Sequence, residues 1–301
     1  MSEPCLSRLV LGTVQLGIPY GVANRTGRPD MDAARSLVAA AWKGGVRIFD
    51  TAQGYGDSEA VLGQIFRDLD IAEEARVITK YDPRLDHDDP TALRVSLEQS
   101  LERLGVARLE GVLLHRQEFL EHWQAGPGPV AEDLRRQGLL SGAGVSVYAP
   151  EHALEALDLP GLDMLQLPVN PLDRRFEKAG VFDAAARRSA AVFARSVYLQ
   201  GLLLMEPSDL PVGLAQAAPV LERFQGLAAS LGLEPAAACL AFVREGLPEV
   251  NVVFGAETEV QVSENLSLWM ADAPARLAEE LREAFPDVAE TILNPSLWKT
   301  T

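Results

Sequence analysis

Cysteine is nearly absent from this chain of 301 residues, which carries only Cys5 and Cys239. Two thiols make no disulfide framework, so the fold must rest on its core. Cys239 lies in the apolar stretch Ala236–Phe242, where a buried structural thiol is favoured over a nucleophile. Positive charge is also short: Lys+Arg number 27 against 43 Asp+Glu, a net charge of -16. Such a surface repels phosphate backbones and anionic headgroups, which argues against nucleic-acid and membrane partners. Long apolar runs are missing as well. The hydrophobic fraction of 48% is dispersed in short pieces, none near the roughly 20 apolar residues that span a bilayer. The opening Met1-Ser2-Glu3-Pro4-Cys5 has neither the basic nor the apolar region of a secretory signal, so a cytoplasmic location is expected. No low-complexity linker or charge block divides the chain, and one domain over residues 1–301 is expected. The Gly- and Pro-rich Gln124–Pro129 reads as a connection before a helix.

What the chain has in quantity is alternation. Short strand-like runs fall at Leu9–Leu11, Val46–Phe49, Val77–Thr79, Gly111–Leu114, Gly144–Val147, Met164–Leu167, Ala191–Ala194 and Val250–Phe254. Helical patterns lie between them at Met31–Lys43, Glu59–Leu69, Thr91–Leu104, Pro129–Gln137, Pro150–Ala156 and Phe182–Arg188. Alanine-rich segments at Leu214–Leu231 and Pro235–Glu245 separate the last two strands, and Glu259–Met270 follows the final one. Roughly eight strand–helix units specify an α/β fold closed as a parallel (β/α)8 barrel better than an open sheet.

In such a barrel the active site is built at the carboxyl ends of the strands. Asp50, Lys80 and His115 each stand at the end of an apolar run, and Tyr55 follows Asp50 on the loop. A phenol with a pKa of about 10 is protonated at neutral pH, and a neighbouring cation makes it a better acid. Lys80 is placed to supply that cation and Asp50 to keep the lysine charged, while His115 offers a donor for a carbonyl oxygen. The constellation suits protonation of an oxygen as electrons arrive at its carbon. It contains no evident nucleophile, which points to a redox cofactor. The loop Gly17–Pro29 after the first strand borders this mouth, either as a plain connector or with Tyr20 as a pocket wall.

These residues resemble the aldo-keto reductase superfamily. The resemblance rests on Asp50-Thr51-Ala52-Gln53-Gly54-Tyr55, on Lys80 in Ile78-Thr79-Lys80 and on His115 in Leu113-Leu114-His115-Arg116. It implies a barrel that reduces aldehydes or ketones with a nicotinamide cofactor, Tyr55 being the general acid, Lys80 and Asp50 tuning it, and His115 orienting the substrate. It further implies that Ser146 and Gln166 hold the nicotinamide carboxamide, although Val147 stands where the family usually has Asn. Arg195 occupies the place of an aromatic that stacks on the nicotinamide, beside Ser196. Arginine can also stack on a flat ring and contact an anionic substrate, or it can form a peripheral salt bridge. The segment Gly255–Asn265 resembles the pyrophosphate and adenosine site, implicating Gly255, Ala256, Thr258, Gln261, Glu264 and Asn265. No Lys or Arg occurs from Asn251 to Asn265. NADPH is therefore expected by family habit, with NADH left open by Glu257 and Glu259.

Leu11–Gly17, Tyr20–Asn24, Arg195–Gly201 and Ile292–Trp298 resemble a bacterial branch associated with surface-polysaccharide and nucleotide-sugar pathways, which implies a sugar-derived carbonyl substrate. The protein is expected to work as a monomer or homodimer. Two rivals stay open: a regulatory subunit that binds cofactor with little turnover, and a redox-neutral epimerase or lyase. The tail bearing Trp298 folds either across the barrel mouth or along its outside. Asp86-His87-Asp88-Asp89 precedes Pro90 and reads as a solvated helix cap rather than a metal site. His122 and His152 show no partner pattern.

Overall fold

The computed structural model of the chain describes residues 6–24 and 27–298. Cys5, Arg25 and Thr26 lie outside them. Eight parallel strands close into a barrel in sequence order: β1 (Leu9–Gly12), β2 (Ile48–Asp50), β3 (Arg76–Lys80), β4 (Leu109–Leu114), β5 (Leu140–Ser146), β6 (Met164–Pro168), β7 (Ala191–Arg195) and β8 (Asn251–Gly255). Each expected strand is present, and so is each expected helix. Helices 31–43 and 259–270 have the expected bounds, 58–68 is shifted by one residue, and 90–104 begins one residue earlier than expected. The helix 277–284 and the single turns 14–17, 175–178 and 290–293 carry too few periodic positions to be read from sequence.

Side chains alternate between the two faces of a strand, and this decides what the barrel mouth contains. Val10, Ile48, Ile78, Leu113, Met164, Phe193 and Val253 form a buried cluster of their own inside the barrel. Their neighbours Leu9, Leu11, Phe49, Val77, Leu114, Leu165, Ala194 and Phe254 belong to the larger core under the helices. Two residues beyond the inward set come Gly12, Asp50, Lys80, His115, Gln166, Arg195 and Gly255. The lumen thus has an apolar floor and, one layer up, a polar ring at the carboxyl rim. Register holds this ring level: Gly12 pairs with Asp50 and with Gly255, Ser146 with Gln166, and Pro168 with Arg195. Met164 fits the floor because its neighbours lack side chains. A Cβ at Gly111 would stand 2.5 Å from its sulfur, and one at Gly142 would stand 2.3 Å from its methyl.

The tail runs beside the β6 and β7 loops. Arg175 bonds Glu290, Lys178 pairs with Asp287, and Ile292 and Leu293 are buried. Trp298 donates its indole N–H to the Ile292 carbonyl and does not line the mouth, so the outside packing is the one adopted.

Candidate active site

The loop from Asp50 to Ser58 is fixed at both ends by neighbouring strands. Thr51 N–H donates to the Ile78 carbonyl at 2.8 Å and Gln53 N–H to the Lys80 carbonyl at 3.0 Å. The Thr51 hydroxyl donates to Ser58 Oγ, Ser58 to the Thr13 carbonyl and Thr13 to the Asp50 carbonyl. Helix 58–68 then carries the chain away, with Ser58 N–H donating to the Tyr55 carbonyl at 3.1 Å. Tyr55 is left half-buried at the mouth, with its backbone pinned on either side.

Beneath it lies a chain of buried polar contacts. Lys80 Nζ donates to Asp50 Oδ1 at 2.7 Å and to the Thr51 carbonyl at 2.8 Å. Gln166 Nε2 donates to the other carboxylate oxygen at 2.7 Å. Lys80 is 1% exposed and Gln166 2%, so both carboxylate oxygens of Asp50 are engaged away from water. The ammonium sits 5.0 Å from the centre of the Tyr55 ring. His115 meets the same ring edge-on, with centroids 5.5 Å apart and planes at 81°. The structure therefore brings together the four residues Asp50, Tyr55, Lys80 and His115.

Burial decides the protonation states. It draws the Lys80 ammonium down from its usual value, with Asp50 opposing. Burial also pushes the Tyr55 phenol well up, helped by the negative charge of Asp50 and resisted by Arg195. The resting phenol is thus a firmly protonated donor. Arg195 is the cation that opposes that rise, while the Lys80 ammonium under the ring is paired with Asp50. His115 is pushed down to about 3, by burial and then by the cations Lys80, Arg116 and Arg195. It is a neutral imidazole at physiological pH.

A cavity of about 370 Å³ opens above this group. At one end Asp50, Tyr55, Gln166, Arg195 and Tyr20 form its wall, and at the other Gly255, Ala256, Gln261, Glu264 and Asn265. Tyr20 is thus a wall rather than a connector. Its loop is tied to the loop after β7: Val22 N–H donates to the Gln200 carbonyl at 3.1 Å, and a Cβ on Gly201 would meet the Ala23 Cβ at 2.7 Å. Ser196, Leu199 and Gln200 all hold positive φ (58°, 48° and 55°). Such conformations cost about 1–3 kcal/mol each and collect at functional loops.

Other expected residues take different places. Thr258 does not line the cavity; its hydroxyl accepts from Gln261 N–H and caps helix 259–270. The signal was present in the sequence, a Thr three residues ahead of a Gln. Ser146 is buried at the end of β5, off the cavity wall. Asn265 is engaged by the Tyr198 hydroxyl and donates to the Gln261 carbonyl, while the Gln261 side chain accepts from Glu257 N–H at 2.7 Å. Among the described residues Arg195 has no salt-bridge partner: its guanidinium lies 4.0 Å over the Tyr148 ring and donates to the Val147 carbonyl at 3.0 Å. Tyr148, Tyr198 and Gln15 were missed from sequence, because a residue that is not at a strand end carries no positional signal. Away from the mouth, Asp89 caps helix 90–104 as expected, but His87 is buried against Phe119. His122 does have a partner, Asp88, at 2.9 Å.

Comparison with known proteins agrees with this geometry. The chain is 25% identical to the D-threo-aldose 1-dehydrogenase of a Pseudomonas species, over 94% of this chain and 97% of that one. It is 27% identical to an uncharacterized oxidoreductase of Mycobacterium tuberculosis, over 94% and 90%. In three dimensions it resembles the glycerol dehydrogenase of Gluconobacter oxydans, with a TM-score of 0.71 at 23% identity, over 96% of this chain and 93% of that one. Residues 8–284 match the Aldo/keto reductase family. With a match over most of its length, the chain belongs to the aldo/keto reductase family.

Proposed function

We propose that this oxidoreductase interconverts an aldehyde or ketone and its alcohol, with Tyr55 as the general acid in reduction. The observation that carries the reading is the buried Lys80–Asp50–Gln166 chain beneath the protonated Tyr55, with a neutral His115 against the same ring. The family works with nicotinamide cofactors, and the cavity fits one. Gln15 has a buried side-chain oxygen on the cavity wall that no described residue partners. Gly255 is bare where a Cβ would stand 2.6 Å from Gln15 Nε2. Gln166 would hold the carboxamide with its free amide oxygen, and Gly255 with Ala256 would meet the pyrophosphate at the start of helix 259–270. When bound, the cofactor supplies the electron pair, as hydride, to the carbonyl carbon.

The protein's share is positioning and proton delivery. The Tyr55 hydroxyl on the cavity wall would meet the carbonyl oxygen, and His115, which lies off that wall against the edge of the Tyr55 ring, would help orient it. As negative charge grows there, Tyr55 gives up its proton and the oxygen becomes the alcohol hydroxyl. The nearby cations Lys80 and Arg195 offset the phenolate that remains. Asp50 keeps Lys80 charged in a site that would otherwise strip its proton, and Gln166 steadies Asp50.

NADPH is the coenzyme implied by family resemblance. NADH is the second reading, favoured by Glu257 and Glu264 on the far wall, where the described residues place no cation. The relative named for aldose oxidation supports a sugar-derived substrate. Offering the purified protein NADPH or NADH with sugar-derived, acidic and aromatic aldehydes, and following absorbance at 340 nm, tests the reading. Net consumption of reduced cofactor is expected. Cofactor that binds without being consumed would instead support a regulatory or redox-neutral protein.

A further inference from the structure

Arg195 is the only Lys or Arg among the described residues that line the cavity. Its surroundings leave its charge unspent. Nη2 donates to the Val147 carbonyl at 3.0 Å and Nη1 to Ser196 Oγ at 3.3 Å. Both acceptors are neutral, and a guanidinium carries more N–H donors than these bonds consume. Among the described residues, no carboxylate lies within salt-bridge distance of it. The nearby acid, Asp50, has both oxygens committed to Lys80 and Gln166. In a chain with a net charge of -16, a half-buried arginine without an acidic partner calls for a ligand of opposite sign.

The guanidinium is also held ready. Its Cζ lies 4.0 Å from the centre of the Tyr148 ring, which restrains the side chain where it lines the cavity. The charge is felt by Tyr55, Tyr20 and His115, so it sits at the reacting end. A planar fork matches a carboxylate in two parallel hydrogen bonds. A lone cation suits that monoanion better than a phosphate, which carries nearly two charges at neutral pH.

We infer that Arg195 is a specificity-determining residue that binds a carboxylate on the substrate, so that the protein acts on acidic carbonyl compounds. For the reaction this rests on the oxidoreductase reading above; for the binding it stands alone.

The test compares matched pairs in the wild type and in Arg195→Ala, Arg195→Gln and Arg195→Lys variants. The kcat/KM for 4-carboxybenzaldehyde is set against that for benzaldehyde. In parallel, calorimetry with and without reduced cofactor compares 4-carboxybenzyl alcohol with benzyl alcohol. The wild type should favour the carboxylated partner by at least roughly tenfold, expressed mainly in KM and in the binding constant. The Ala and Gln variants should lose this ratio and the Lys variant should keep part of it. A wild type without preference, or variants that lose rate on both aldehydes while the ratio stays, would overturn the inference; the latter would make Arg195 a support for Tyr55 alone. If neither aldehyde is reduced but the carboxylated alcohol still binds selectively through Arg195, the carboxylate site stands and the reaction reading falls.

Discussion

Lys80 and Asp50 are each present for the other. An ammonium or a carboxylate buried alone is costly, whereas the pair, completed by Gln166 and the Thr51 carbonyl, is tolerable. Replacing Lys80 by Met leaves Asp50 charged, buried and bonded only to an amide. The expected loss is about 3–5 kcal/mol in denaturant unfolding, together with most of the turnover. Asp50→Asn removes the opposing charge and should be milder in stability than in rate. His115 yields a pH prediction. Its imidazole is held at about 3 against an ordinary 6.5, so the unfolded chain binds the proton more readily. Its stabilising contribution is complete above pH 6.5 and declines as pH falls toward 3. A His115→Gln variant should lose less stability than the wild type between these limits in thermal melts, and the wild-type rate should show no His115 titration from pH 5 to 8. An inflection there that vanishes in the variant would contradict a neutral histidine.

At the scale of the element, the backbone around Tyr55 is packed too closely for side chains. A Cβ on Gly17 would fall 1.6 Å from the Tyr55 carbonyl oxygen. One on Gly56, whose φ is 58°, would fall 2.7 Å from the Gly17 carbonyl oxygen. The short turn 14–17 after β1 thus acts as a backstop for the loop that presents the phenol. Gly17→Ala must displace one of the two, and neither is a flexible side-chain tip. We expect kcat to fall by roughly 100-fold with circular dichroism unchanged; an unaffected kcat would show that the loop need not rest there. The strand ends were legible in sequence because apolar positions and rim positions alternate: Ile78 points inward, Thr79 outward, and Lys80 inward again. Asp50 and His115 were read from the same strand-end position, whereas Gln166 and Arg195 came from the family resemblance. The alternation is silent about loops, so Tyr148 beneath Arg195 and the positive-φ turn at Ser196–Gln200 emerged only from the fold. Thr258 caps helix 259–270 in the structure, a role that uses the same side chain at the same place as a ligand contact would.

For the whole molecule, closure of the barrel is what turns scattered residues into a site. Asp50 and Gln166 are 116 positions apart yet share a hydrogen bond of 2.7 Å, because β2 and β6 face each other across a lumen filled by Ile48, Ile78, Met164 and Phe193. No helix among the described residues is long and apolar enough to cross a membrane. Cofactor choice and substrate identity were the least legible features, since they depend on a few side chains in loops rather than on the repeating pattern. The central claim is that this rim delivers a proton from Tyr55 while the rest of the cavity binds cofactor independently of that hydroxyl. The direct test is a Tyr55→Phe variant measured beside the wild type, for thermal stabilisation by NADPH or NADH and for reduction of an aldehyde. Equal stabilisation of both proteins, with turnover in the variant lower by roughly 100-fold or more, is the predicted result. Undiminished turnover in the variant would contradict the account.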